Sequence, residues 1–107
     1  MKMLTKEILG KLKGLYETDE VDKKEVKVPL KLFNPAGAGT WYIWEYDPVQ
    51  ELAFGYVNLG DDEMAEMGYI SLKELKELKL PYGLLIERDL HWDQNTTVQD
   101  VLDKKAT

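Results

Sequence analysis

Seven consecutive residues, Thr40-Trp41-Tyr42-Ile43-Trp44-Glu45-Tyr46, are aromatic or β-branched with the single exception of Glu45. Such side chains lose rotamer freedom in a helix and pack well on a pleated surface, so the run predicts a strand. Asp47-Pro48 turns the chain back, and Leu52 to Leu59 supplies the returning strand of an antiparallel hairpin. Strict alternation would put Tyr42, Trp44 and Tyr46 on one face of that hairpin and Trp41, Ile43 and Glu45 on the other. Large rings on both faces require that at least one aromatic surface be covered by a helix, a partner or a ligand.

The flanking segments supply the cover. Apolar residues at Leu4, Ile8, Leu9, Leu12, Leu15 and Tyr16 have the period of an amphipathic helix, with Thr5 placed to cap its start. Gly10 and Gly14 weaken that helix, and their shared face suggests close approach to a strand. Glu17 to Glu25 reads as an exposed connector. Val26, Val28, Leu30 and Leu32 alternate with Lys27, Pro29 and Lys31, which predicts a strand, and Pro29 places it at an edge. Asn34 to Gly39 is a loop. Gly60 to Met67 is acidic and irregular, Gly68 to Ile70 is a short extended piece, and Ser71-Leu72-Lys73-Glu74 opens a helix through about Leu78. Pro81 and Gly83 end that segment, Leu84 to Trp92 reads as another strand, and Thr96-Thr97-Val98-Gln99 caps a short C-terminal helix. The order predicts an α+β fold: a mainly antiparallel sheet with N-terminal, central and C-terminal helices packed on one face. Helices on both faces, or a small partly closed barrel, are the alternatives.

A chain of 107 residues, with 44% hydrophobic and 32% charged residues, suits one domain spanning residues 1–107, because either half would be too small to bury a core alone. The net charge of −6 repels phosphate and anionic headgroups, so weak binding to generic duplex DNA and no membrane association are expected. Lys23, Lys24, Lys27 and Lys31, or Lys73, Lys76 and Lys79, are the candidate basic patches. With no cysteine there is no disulfide, thiolate nucleophile or Cys-ligated metal. Met1 to Leu15 lacks the apolar core of a secretory signal and no segment approaches the length of a membrane span, so a cytoplasmic location is expected.

Two constellations could carry function. In an extended Leu84–Trp92, Glu87, Asp89, His91 and Asp93 would share one face, leaving Ile86, Leu90 and Trp92 for the core. Carboxylates beside an imidazole suit a divalent metal or a general acid/base pair, and His91 is the single histidine. A solvated face on a half-buried strand is the simpler account of the same pattern. The second constellation is the hairpin itself: Thr40, Trp41, Trp44, Glu45 and Tyr46 can stack on a partner side chain, a base or a sugar, or can pack the core. Gly37-Ala38-Gly39 lacks the Gly-Lys-Ser/Thr ending of a phosphate loop, and Asp61, Asp62, Glu63 and Glu66 lack calcium-loop spacing. Such acids can instead imitate phosphate in a basic cleft of a partner.

Leu4-Thr5-Lys6-Glu7, Val28 through Pro35, Thr40-Trp41, Glu45 with Asp47-Pro48, Ala53-Phe54-Gly55, Leu59-Gly60, Glu66 with Gly68-Tyr69, Ser71-Leu72 with Glu74-Leu75, and Gly83-Leu84 with Ile86-Glu87-Arg88-Asp89 together carry a resemblance. In order and spacing they resemble a bacterial and archaeal family, the domain-of-unknown-function family 2958. The resemblance implies a small stand-alone protein of plasmids, conjugative elements or phages, with an accessory or anti-defence role, and it brings no catalytic residues. The resulting expectation is a non-enzymatic protein-binding module, with Trp41, Trp44, Glu45, Tyr46 and Arg88 as binding candidates and with no cofactor or metal. The alternative is a small metal-dependent hydrolase or nuclease using Glu87, Asp89 and His91, joined by Glu45.

Overall fold

The computed structural model describes residues 3–104. Its five strands, β1 (Leu30–Phe33), β2 (Thr40–Asp47), β3 (Leu52–Asn58), β4 (Glu66–Ser71) and β5 (Glu87–Arg88), form one antiparallel sheet in the order β4-β3-β2-β1-β5. Three short helices, α1 (Lys6–Lys11), α2 (Leu72–Glu77) and α3 (Val98–Leu102), complete an α+β fold. The predicted caps sit where the sequence placed them: Thr5 accepts from the Ile8 amide and Ser71 from the Glu74 amide. At the third helix the cap is Thr97, in a reciprocal box with Asp100.

The hairpin of β2 and β3 forms as predicted, with one departure that rearranges its faces. A β-bulge between Ile43 and Glu45 inserts an extra residue into β2, and beyond it the alternation changes phase. Trp41, Ile43 and Tyr46 therefore point one way, into a core with Leu30, Leu32, Ala53 and Ile70. Tyr42 and Trp44 point the other way, toward Phe54 and Tyr56. The first face is covered by Ile8 of α1 and Leu72 of α2, and the second by Val98 and Val101 of α3 with Val26 and Val28. Helices thus pack on both faces, not on one, because hairpin rings point both ways.

The bulge also ends α1 early. Its displaced backbone groups are taken up by Lys13, whose N–H donates to the Trp44 carbonyl at 3.2 Å and whose carbonyl accepts from the Tyr46 N–H at 2.8 Å. Residue 13 cannot remain helical and also lie along β2, so the helix predicted to reach Tyr16 stops at Lys11. Gly10 does not serve close approach, since a Cβ there would meet nothing within 4 Å. Gly10→Ala is accordingly expected to raise stability by about 0.5–1 kcal/mol, read as a higher midpoint in urea unfolding.

Two strands are shorter than the alternation suggested. Val28 N–H donates to the Thr96 carbonyl and Val98 N–H to the Val26 carbonyl, both at 2.8 Å, so Val26 to Val28 pairs with the C-terminal segment and the ladder begins at Leu30. Pro29 lies just before that ladder, and β1 is an interior strand instead of an edge. In Leu84–Trp92 only Glu87 and Arg88 pair as a strand; the chain then turns, with the His91 N–H donating to the Asp89 carboxylate. The turn carries Leu90 outward to 60% exposure, while Ile86 alone of the expected core set is fully buried and Trp92 half so. Leu90→Ala is therefore expected to change stability by less than about 0.5 kcal/mol in thermal melts, as other exposed substitutions do.

Candidate functional site

The turn after β5 decides the fate of the acidic and histidine constellation. Asp89 lies 3.4 Å from the Lys31 Nζ, which also sits over the rings of Tyr42 and Trp92 at 5.7 and 5.3 Å. Trp92 donates its indole N–H to the Val28 carbonyl at 2.7 Å and packs on Tyr42. Asp89 is thus the counter-charge of a half-buried lysine in an aromatic cradle, and His91 is exposed on the turn. Among the described residues, no three of His, Asp and Glu gather closely enough to hold a metal ion.

Of the five binding candidates, Trp41 and Tyr46 are buried in the first core and Trp44 in the second. Arg88 is half-buried and engaged, opposite Leu32 in the β1–β5 pair. Glu45 is 2% exposed. Its Oε1 accepts from the Tyr16 N–H at 2.9 Å, and its Oε2 accepts from the Thr18 N–H at 3.1 Å and from the Thr18 hydroxyl. A carboxylate is suited to this place because it only accepts, and all its partners here donate. It fastens the loop after α1 to the sheet and holds Tyr16 in a left-handed conformation, φ 71°, which non-glycine residues adopt only at a cost.

That loop completes a surface that the sequence did not reveal. From buried Trp44, an edge-to-face series crosses the second sheet face: Trp44 to Phe54 at 5.8 Å between centroids, Phe54 to Tyr69 at 5.3 Å, and Tyr69 to Tyr16 at 6.4 Å. Exposure rises along it, to 53% at Tyr69 and 62% at Tyr16, with Met67 and Val21 exposed beside them. A cavity of about 160 Å³ opens on the same face, lined by the apolar Trp44, Phe54, Met67, Val21, Val26 and Val98 and at its polar side by Thr18, Asp19 and Lys23. The Tyr69 phenol is held above its ordinary pKa, first by the neighbouring Tyr16 hydroxyl and then by desolvation. It stays protonated at neutral pH, so Tyr69 adds no charge to a surface that is apolar in its rings and able to donate hydrogen bonds at its rim, with Asp19 and Lys23 as the charged groups beside the cavity. Tyr69 and Met67 share a strand face, which their spacing of two could have announced; Tyr16 gave no signal because it fitted the helical stripe.

A larger cleft of about 970 Å³ lies between the end of α1, the segment through Pro29 and the Trp92–Asn95 turn. Three lysines line it, Lys11, Lys13 and Lys27, of which Lys11 donates to Gln94 and Lys27 to Asn95 at 3.2 Å. Glu17, Glu25 and Asp93 balance them in charge, so the cleft selects for neither sign of ligand. Near β4, Asp62 is held below the usual carboxylate range, first by the Asn58 amide at 2.8 Å and then by Lys104.

Among the described residues, no helix is long and apolar enough to cross a membrane. Comparison with curated proteins and with solved structures returned no match. The model of one family does match, over residues 3–106, and its description is a protein of unknown function (DUF2958). Reaching from before α1 to beyond α3, that match takes in every element of the sheet and both of its cores, and the chain belongs to the DUF2958 family.

Proposed function

We propose that this protein is a non-enzymatic binding module that recognises a partner protein through the surface formed by Tyr16, Tyr69 and Met67. The observation that carries this reading is the exposed end of the aromatic series, where two tyrosine rings and a methionine lie in water beside a small cavity floored by Trp44 and Phe54. Tyrosine and methionine are enriched in protein interfaces because they combine large contact area with adaptable shape or a hydrogen-bonding tip. The accessory or anti-defence role that the family resemblance implies would place the partner among the proteins of a host or of a mobile element.

Affinity capture from the native host tests the proposal, with the captured proteins compared between the wild type, Tyr69→Ser and Tyr82→Ser. Tyr82 is 97% exposed on the turn before β5 and lies outside the series, so it serves as the control. The expected result is a protein captured by the wild type and Tyr82→Ser and lost with Tyr69→Ser. Equal capture by all three would remove the aromatic surface from the interface.

A further inference from the structure

The two edges of the sheet are unlike. β5 is two residues long and charged, Glu87-Arg88, which is how sheet edges are ordinarily blunted. β4 is six residues long, Glu66-Met67-Gly68-Tyr69-Ile70-Ser71, with its one charge at the first position and no proline or lysine. The phase of its backbone follows from one bond. The Leu72 N–H donates to the Glu51 carbonyl at 3.0 Å, which makes the adjoining Leu52–Ser71 pair non-hydrogen-bonded. Alternation along the register then turns the amides of Glu66, Gly68 and Ile70 toward β3, and those of Met67 and Tyr69 toward the open side. No other strand pairs with that side, and no backbone bond reaches these outward groups among the described residues.

We propose that the open edge of β4 receives an extended, basic and apolar segment of the partner protein as a sixth strand; this rests on the protein-binding reading above. The N–H and C=O groups of Met67 and Tyr69 match what an added strand pairs with. Its side chains on one face would lie against the exposed Met67, Tyr69 and Tyr16. On the other face they would meet open space at Gly68, where a Cβ finds nothing within 4 Å. Glu63 and Glu66 stand at the start of β4 without an ion-pair partner among the described residues, and the chain carries a net charge of −6, so a basic segment is favoured over a second copy of this chain.

A library of random twelve-residue peptides displayed on phage, selected on the intact protein, provides the test. Selected peptides should be rich in Lys or Arg and in β-branched or aromatic residues. Their affinity, by fluorescence anisotropy on synthetic copies, should fall tenfold or more with Met67→Pro, which removes one outward donor and no bond to β3. N-methylation of the peptide at alternate residues should cause an equal loss in one register, which keeps the test decisive if the proline variant folds poorly. Failure to select any peptide, or affinity indifferent to both changes, overturns strand addition. Loss with Tyr69→Ser but not with Met67→Pro or N-methylation overturns strand addition and leaves the aromatic surface as the interface, whereas indifference to all three removes both. A dimer in sedimentation that Met67→Pro abolishes would assign the edge to a second copy and overturn the basic partner.

Discussion

Glu45→Ala is expected to cost about 3–5 kcal/mol of folding free energy, since hydrogen bonds to a charged group contribute about 1.5–3 kcal/mol each and their loss strands the donors. The carboxylate is almost fully buried and takes the amides of both Tyr16 and Thr18 together with the Thr18 hydroxyl. Among the described residues none of the three donates to any other acceptor, so removing Glu45 frees the loop and with it the left-handed Tyr16. Glu45→Gln should be intermediate, near 1–3 kcal/mol, because an amide keeps one accepting oxygen and turns an N–H group against a donor. Urea unfolding of the two variants measures this, and a loss under about 1 kcal/mol for the alanine would mean that the loop is held by something else.

Gly55→Ala is expected to be at least as severe. A Cβ at residue 55 would stand 1.9 Å from the Tyr42 carbonyl oxygen and 3.0 Å from the Ile43 Cα, both backbone atoms of β2 beside the bulge. No rotamer change relieves a clash with main chain, so β2 and β3 must separate where the two cores meet. The cost should be about 3–5 kcal/mol, or failure to fold. Gly68, directly opposite on β4, is the control: nothing lies within 4 Å of its Cβ position, so Gly68→Ala should stay within about 0.5 kcal/mol or gain slightly from a less flexible unfolded chain. Thermal melts and soluble yield of the pair read the difference, and similar behaviour of both variants would contradict the close strand approach at Gly55.

Both predictions concern the place where the sequence was hardest to read. The hairpin was legible because aromatic and β-branched residues at six of the eight positions of β2 leave few other choices. The helix starts were legible because Thr5, Ser71 and Thr97 cap locally, through bonds three residues along the chain. The bulge left no such mark. Its extra residue is stabilised by Lys13, some thirty residues earlier in the chain, and only that pairing explains why α1 is short and why Tyr46 points with Ile43. The strand expected at Leu84–Trp92 is cut short to Glu87–Arg88 for a related reason, since a period of two persists in the sequence while the Asp89 side chain closes a turn.

The site follows the same division. Trp44 and Glu45 were singled out as residues that meet a partner, and both instead act from inside: Trp44 floors the cavity and begins the aromatic series, and Glu45 holds Tyr16 at its end. The exposed members, Tyr16, Met67 and Tyr69, come from segments that look unremarkable one at a time. They meet only because the loop after α1 folds back over the sheet toward its open edge.

The central claim is that Tyr69 and its neighbours form a protein interface, and calorimetric titration of the purified partner recovered by capture tests it most directly. Tyr69→Ser should weaken binding about 30-fold or more, the effect of removing an aromatic anchor from the centre of an interface, while Tyr82→Ser leaves the affinity unchanged. Undiminished affinity with Tyr69→Ser, in a variant that keeps wild-type stability, would contradict the account.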